Sequence, residues 1–167
     1  MAKQKPDSVD NIIDQWMTER PELELLPMAL IGRLSRIHKY VARQLEDCHL
    51  EYGLKPGEFD VLATLRRAGA PHTLTPSELF NSMMLSSGAM TNRLDRLEQK
   101  GLIHRSHSHE DRRSVLVSLT DKGLQLINDA VPSHLQTETL ALSGLTIQQQ
   151  QQLNQLLQIW LSSLESR

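Results

Sequence analysis

The hydrophobic and polar positions of residues 75–101 predict two short helices joined by a turn. Leu79, Phe80 and Met83 give the first segment an apolar stripe at helical spacing. The sequence TPSE at positions 75–78 is a capping box with proline at the first helical position. We therefore expect a helix to begin there.

The second segment divides clearly into core-facing and outward-facing positions. We expect it to begin at Ser86 or Ser87 and to end at a left-handed Gly101. Arg93 lies on the shoulder of its apolar stripe, which predicts a half-buried guanidinium, whereas Arg96 can reach a phosphate. The core-facing residues are Met90, Leu94 and Leu97, and the outward-facing polar residues are Ser87, Thr91, Asn92, Asp95 and Gln99.

The residues that follow predict a small antiparallel sheet. Leu102–Ser106 and Ser114–Leu119 are expected to be strands, the second because its apolar residues alternate. Residues 72–74 are expected to add a third short strand. The hairpin loop between the two longer strands carries Arg112 and Arg113.

A helix-turn-helix followed by such a wing is the arrangement of many DNA-binding domains. Short polar side chains near a helix N-terminus suit major-groove reading, and adjacent arginines at a hairpin tip suit a minor groove or its phosphates. The alternative is a simple packing unit with a solvated turn. The predicted DNA contacts are Ser86, Ser87, Thr91, Asn92, Arg96, Arg112 and Arg113.

Further helices are predicted on both sides of this unit. A short helix capped by Ser8 or Asp10 should end before Pro21, and a long helix should run from Pro27 to Glu51.

After the wing, Pro132 is expected to interrupt or kink a helix that starts at Thr120. The last predicted helix has an apolar stripe too wide for one neighbour, which favours a subunit interface. The residues of that stripe are Leu153, Leu156, Leu157, Trp160, Leu161 and Leu164.

Two residues outside the predicted DNA-binding unit could contact a ligand. Asp60 lies in an otherwise apolar helix, where a carboxylate needs a cation or a donor, so a structural salt bridge and a ligand-site acid are both open. Trp16, on the first helix, could pack that helix onto the body or stack on a flat heterocycle. Cys48 is the only cysteine, which excludes an intrachain disulfide and favours a packing role.

Composition narrows the class of protein. The 167 residues carry a net charge of −2, but residues 86–118 hold six Arg or Lys and four Asp or Glu, a local excess of two positive charges. No run of eighteen apolar residues and no signal peptide are visible, so we expect a cytoplasmic protein with no membrane partner. The sequence lacks catalytic motifs, and His104, His107 and His109 lack further ligands, which argues against an enzyme and against a metal site.

The motif DRR before a strand, followed by LT-x-KG, resembles the MarR family of winged-helix transcriptional regulators. The segments QWMTERPELELLPM, GEFDVLATLRRAGAP and SGAMTNRLDRLEQKGLI extend the resemblance to the urate-responsive branch of that family and to nearly the whole chain. The resemblance implies a pocket made by Trp16, Asp60, Arg93 and Arg105. In that pocket Trp16 would stack on the ligand, Arg93 would pair with an anionic oxypurine, and Asp60 with Arg105 would tie the pocket to the wing.

We therefore expect a mainly α fold with a small β-wing: a winged helix-turn-helix with N- and C-terminal dimerisation helices. The expected parts are an N-terminal extension helix (1–26), dimerisation helices (27–53 and 120–167) and a DNA-binding domain (54–119). As a homodimer it would bind a pseudo-palindromic site in double-stranded DNA, as a repressor released by urate or xanthine, without a cofactor. The alternatives are a response to a phenolic effector or to oxidation, or a ligand-binding dimer that does not bind DNA.

Overall fold

The computed structural model describes residues 5–83, 90–107 and 115–166, and Ser86, Ser87, Arg112 and Arg113 lie outside the described residues. The chain consists of two compact units, residues 1–44 and 45–167.

The first unit contains helix α1 (Ser8–Glu19) and most of helix α2 (Leu26–Glu51). The N-cap of α1 is Asp7, and not Ser8 or Asp10 as predicted. Its carboxylate accepts hydrogen bonds from the amides of Val9 (2.7 Å) and Asp10 (3.1 Å). The Asp10 carboxylate accepts from the Asp7 amide in return, so two acidic residues share the capping box.

Arg33 of α2 fixes this helix start. Its Nε donates to Asp7 Oδ2 over 2.8 Å, and its Nη2 pairs with Asp10. The hydrogen bond from Arg33 lowers the pKa of Asp7. The sequence pattern favoured Ser8 or Asp10 because it took no account of a cation on the following helix.

The second unit contains the rest of α2 and the elements of the predicted DNA-binding domain. In chain order these are α3 (Glu58–Arg67), β1 (Thr73–Leu74), α4 (Pro76–Ser82), α5 (Met90–Gln99), β2 (Ile103–His107), β3 (Val115–Leu119), α6 (Asp121–Ala141) and α7 (Ile147–Glu165). The strands form an antiparallel sheet in the order β1-β3-β2. The predicted mainly α fold with a small wing, including the third short strand, is confirmed.

The core of this unit lies where α3, α5 and α6 meet the sheet. Its fully buried side chains include Leu62, Leu97, Ile103, Val117 and Ile127. The alternation predicted for β3 therefore places Val117 inward, and the stripe predicted for α5 faces the same core.

The capping box of α4 is confirmed. Thr75 Oγ1 accepts from the Glu78 amide at 3.2 Å, and Glu78 Oε2 accepts from the Thr75 amide at 2.8 Å. The predicted apolar stripe is wrong at Phe80, whose side chain is 37% exposed, whereas Leu79 is buried. Consecutive residues lie about 100° apart around a helix, and α4 has its core on one side only, so Leu79 faces inward and Phe80 lies at the edge.

Pro132 was expected to interrupt or kink its helix; the interruption is wrong, because α6 continues through it, and the kink stays a prediction. Proline removes one main-chain hydrogen bond, but the buried side chains of Ile127 and Ala130 anchor the preceding turns in the core. Thr120 caps this helix, and its Oγ1 accepts from the amide of Gly123 at 3.0 Å. Gly123 lies against the Leu102 carbonyl, where a Cβ would come within 1.9 Å of the oxygen.

Helix α7 begins with a capping box between Thr146 and Gln149 and has no buried residue over Ile147–Glu165. Its apolar side chains remain exposed in the single chain, with Leu156 at 66% and Ile159 at 69%. Among the described helices, none combines the length and the hydrophobicity that a bilayer-spanning helix requires.

Candidate nucleic-acid interface and effector site

Helix α5 presents the two faces that its sequence predicts. Leu94 and Leu97 are buried, whereas Thr91 and Asn92 are exposed. Arg93 is half-buried, as expected for a residue on the shoulder of the stripe. The exposed polar side chains at the beginning of the described helix are therefore free to reach the edges of bases.

The C-terminus of α5 is closed by the predicted glycine stop. Gly101 has φ +67° and donates its amide hydrogen to the Glu98 carbonyl at 2.8 Å. The Leu102 amide donates to the Leu97 carbonyl at 2.9 Å, which completes a Schellman motif. The chain then enters β2 directly.

A buried carboxylate, Glu58, fixes α5 to the start of α3. Glu58 Oε1 accepts from Arg96 Nε at 2.8 Å, and Oε2 forms an ion pair with Lys100. The Lys55 amide donates to the same Oε2 at 2.9 Å. Lys100 also donates to the Gly53 carbonyl at 2.8 Å.

The electrostatic environment keeps Glu58 charged although its side chain is fully buried. Burial alone would raise the pKa of this carboxyl group. The hydrogen bonds from Lys100, from the Lys55 amide and from Arg96 outweigh that effect and hold the pKa below its ordinary value.

Sequence reasoning looked for a buried acid in α3 but selected Asp60 and missed Glu58. The available signal was the same for both residues, since each is a carboxylate within the apolar segment GEFDVL. The structure also changes the view of Arg96, because its Nε is engaged with Glu58. A phosphate contact by the remaining guanidinium nitrogens stays a prediction.

Arg105 connects the sheet to α5 rather than to Asp60. Its Nε donates to Glu98 Oε2 at 2.8 Å, and its Nη2 pairs with Glu98 (2.6 Å) and Asp95 (2.7 Å). The Arg105 amide donates to the other Glu98 oxygen at 2.9 Å. These bonds hold the pKa of Glu98 below its ordinary value.

Arg93 and Asp60 are close enough for their charges to interact, and their part in a common pocket stays a prediction. Burial raises the pKa of Asp60, while its electrostatic interactions with His134 and Arg93 act in the opposite direction. Within the described residues, Asp60 has no salt bridge, and Arg93 Nη1 is buried without a hydrogen-bond partner. The arrangement leaves a cationic donor available beside a carboxyl group.

A stack of three rings joins Phe59, the neighbour of Asp60 on α3, to one histidine of α2 and one of α6. Phe59 stacks on His49 with centroids 4.1 Å apart and on His134 with centroids 4.4 Å apart. His49 Nε2 and His134 Nδ1 are 2.9 Å apart and share a hydrogen bond. Burial, and then the charge of His134, lowers the pKa of His49 to about 4.

This stack was not predicted, because His49 and His134 are 85 positions apart and neither belongs to a motif. Trp16, the fourth residue of the implied pocket, belongs to the first compact unit, where its side chain is 41% exposed. Its part in a pocket stays a prediction.

Comparison with known proteins is consistent with this geometry. The MarR family profile matches residues 54–115. The chain is 44% identical over 149 residues to the HTH-type transcriptional regulator PecS of Dickeya dadantii, covering 89% of this chain and 90% of PecS.

Two solved structures are also similar. AbsC, a MarR family transcriptional regulator from Streptomyces coelicolor, has a TM-score of 0.75 at 20% identity, covering 87% of this chain and 98% of AbsC. A mutant of MarR from E. coli complexed with operator DNA has a TM-score of 0.71 at 27% identity, covering 84% and 99% of the two chains.

The buried ion pairs predict that Glu58→Gln destabilises the fold. Arg96 and Lys100 would lose their shared counter-charge, so we expect the free energy of unfolding at pH 7 to fall by at least about 2 kcal/mol. Because the folded-state pKa of Glu58 is lowered from 4.5, its contribution is present above pH 4.5 and is lost as the pH falls through the lowered value. The difference in the free energy of unfolding between wild type and variant should therefore become smaller at acidic pH.

Urea unfolding from pH 7 to pH 3 measures this effect. Glu98→Gln is the matched control, since Glu98 also has a bound arginine but its side chain is 33% exposed. An equal loss of stability in both variants would show that the burial of Glu58 does not increase the contribution of its ion pairs to the free energy of unfolding.

Proposed function

Because the chain belongs to the MarR family of transcriptional regulators, whose members bind DNA, we propose that it acts as a ligand-responsive repressor. In this proposal a homodimer binds a pseudo-palindromic operator and is released by urate or a related purine. The observation that carries the ligand response is the buried Nη1 of Arg93, which has no hydrogen-bond partner among the described residues and lies on the helix that would read the DNA.

DNA reading would be carried out by α5 and the wing. Thr91 and Asn92 are exposed at the beginning of the described helix, where short polar side chains reach base edges in a major groove. Arg112 and Arg113 of the wing loop would contact a minor groove or its phosphates, and Ser86 and Ser87 would lie near the entry of the helix.

We expect Asn92→Ala to weaken binding to the cognate duplex by roughly 1–3 kcal/mol and to leave binding to a non-specific duplex unchanged, because a base contact is lost.

Arg112→Ala should weaken binding to the cognate and the non-specific duplex alike, because a contact to the DNA backbone is lost. The slope of the logarithm of affinity against the logarithm of salt concentration should fall by about one. Gln99→Ala, at the far end of the same helix, is the matched control and should change neither.

Mobility shifts on the DNA upstream of the protein's own gene, and on a scrambled duplex, measure these effects over a range of salt. Equal losses on both duplexes for Asn92→Ala would exclude base reading at this position. Unchanged DNA affinity of the Arg112→Ala variant would exclude a DNA contact by the wing at this residue.

Homodimer formation is supported by the apolar surface of α7. Leu156, Ile159 and Leu161 are each at least half exposed in the single chain, and the helix has no buried residue over Ile147–Glu165. Many exposed apolar side chains on one helix favour an interaction site. In a two-fold dimer the recognition helices would lie about 34 Å apart, which suits half-sites roughly 10 bp apart.

We expect Leu156→Glu to shift the chain toward monomer, since a charge would be buried in the proposed interface. Gln155→Glu adds the same charge at the neighbouring exposed position and should leave the dimer intact. Sedimentation velocity distinguishes the two, and deletion of residues 146–167 should abolish operator binding. A dimer of normal operator affinity in that truncated chain would place the interface elsewhere.

The effector site of this proposal combines Trp16, Asp60, Arg93 and Arg105. Arg93 would pair in bidentate fashion with the oxygens of an anionic purine, and Trp16 would stack on its ring. The carboxyl group of Asp60, whose pKa is raised by burial, would lie beside the Arg93 guanidinium. Arg105 would keep the wing attached to α5 through Glu98.

Arg93 would also couple the effector to the DNA. The dimer would exchange between a form that binds DNA and a form that does not, and the ligand shifts this equilibrium only if it binds the second form more tightly. A difference of about 3 kcal/mol in ligand-binding free energy between the two forms reduces operator affinity roughly 150-fold. Arg93 and the two base-reading candidates lie on the same turn of α5. A ligand that binds the Arg93 guanidinium would therefore also move the side chains of Thr91 and Asn92.

We expect Arg93→Ala to bind the operator but to release it poorly with urate. Trp16→Phe should lose urate affinity with little change in DNA affinity. Arg66→Ala is the matched control, because Arg66 is an exposed arginine that binds only Asn128 among the described residues. Titration of the protein–DNA complex with urate, xanthine and salicylate measures release.

The same titration separates the alternatives. Release by salicylate and not by urate would favour a phenolic effector, and release by peroxide that Cys48→Ala abolishes would favour an oxidation response. If both Arg93→Ala and Trp16→Phe released DNA at wild-type urate concentrations, this effector site would be wrong.

A further inference from the structure

Gly57 lies immediately before α3 and faces Arg93. It has φ +79° and ψ −6°, a left-handed conformation that glycine adopts without steric cost. A Cβ built on Gly57 would lie 2.3 Å from Arg93 Nε and 2.6 Å from Arg93 Cζ. The guanidinium therefore occupies the space that any side chain at position 57 would take.

The close approach distinguishes Gly57 from the other left-handed glycines of the described chain. Gly53, Gly69 and Gly101 also have positive φ, but a Cβ on any of them would meet nothing within 4 Å. A turn alone would explain those three positions. At position 57 the absence of a side chain is also required by Arg93.

Arg93 is held differently from the two other arginines that contact or belong to α5. Arg96 is paired with Glu58, and Arg105 is paired with Asp95 and Glu98. Among the described residues no carboxylate lies within ion-pair distance of Arg93, and its Nη1 is buried without a partner. Packing against the Gly57 backbone is thus what defines the position of this guanidinium.

We propose that Gly57 is a positioning residue for the effector. Because Gly57 has no side chain, the Arg93 guanidinium packs against its backbone, and in this position Nη1 is available to an anionic oxygen of the ligand. This inference rests on the effector response proposed above. A methyl group at position 57 displaces the far end of a flexible side chain, so the main effect falls on ligand recognition rather than on folding.

The test compares Gly57→Ala with Gly69→Ala in the full chain. Gly69 has φ +82° and open space around it, so alanine there introduces the same backbone strain without touching an arginine. We expect Gly57→Ala to raise the urate concentration needed for operator release by about tenfold or more, the effect of losing one charge-assisted hydrogen bond. Gly69→Ala should release at the wild-type concentration, and both should bind the operator normally without urate.

A double variant tests whether the effect passes through Arg93. If it does, Gly57→Ala combined with Arg93→Ala should be no less responsive to urate than Arg93→Ala alone, since there is no guanidinium left to displace. An additive further loss in the double variant would overturn the proposal. If Gly57→Ala does not fold, Gly57→Asn and Gly69→Asn form a second pair, because asparagine tolerates a left-handed backbone.

A ligand-free measurement separates this inference from the effector proposal. The ¹H–¹⁵N signal of Arg93 Nε, assigned by its loss in Arg93→Ala, should move in Gly57→Ala and not in Gly69→Ala. An unmoved signal would overturn the seating of Arg93 on Gly57. A wild-type chain that ignores urate would refute the effector proposal and the role of Gly57 in it, whereas a urate response retained in Gly57→Ala would refute the role of Gly57 alone.

Discussion

The orientation of α5 depends on one buried carboxylate. Glu58 is fully buried and is surrounded by Arg96, Lys100 and the Lys55 amide, so its charge has partners on two elements. Removing this carboxylate leaves two partly exposed cations without their shared counter-charge, which costs at least about 2 kcal/mol once solvent screening is allowed for. Hydrogen bonds to a carboxylate are also directional, so they fix the rotation of α5 as well as its distance from α3.

A second ion-paired connection lies on the other side of the helix. Arg105 in β2 binds Asp95 and Glu98, one turn from the Schellman motif that ends α5. The wing and the recognition helix are therefore joined by charge pairs at the end of α5 farthest from Thr91 and Asn92. The exposed end of the helix is left to the polar residues that would meet DNA.

Local features of the fold could be predicted because their causes are local. The capping box at Thr75 and the glycine stop at Gly101 depend on residues within five positions of each other, and both are confirmed. The inward stripe of Leu94 and Leu97 follows from helical periodicity. Phe80 was misplaced because two adjacent apolar residues compete for one face, and periodicity over one short helix does not decide between them.

The candidate site could be predicted only in part, since its contacts join residues far apart in the chain. The sequence indicates that a carboxylate in α3 needs a cation, but Glu58 and Asp60 satisfy that criterion equally. Their difference arises in three dimensions: Glu58 forms ion pairs with Arg96 and Lys100, whereas Asp60 has no ion pair within the described residues and interacts at longer range with His134 and Arg93. The pairing of His49 with His134 has no local signal either.

The contrast between these two acids explains why Arg93 suits a regulatory role. Glu58 binds Arg96 Nε and Lys100, so the C-terminal end of α5 is fixed to the start of α3. Arg93 lies on the same helix, but its guanidinium is held by contact with a glycine and retains a buried donor. A ligand bound there would act on a helix that is already fixed at its C-terminal end. The response of α5 would then be a movement of its N-terminal end, where Thr91 and Asn92 lie, rather than detachment of the helix from the fold.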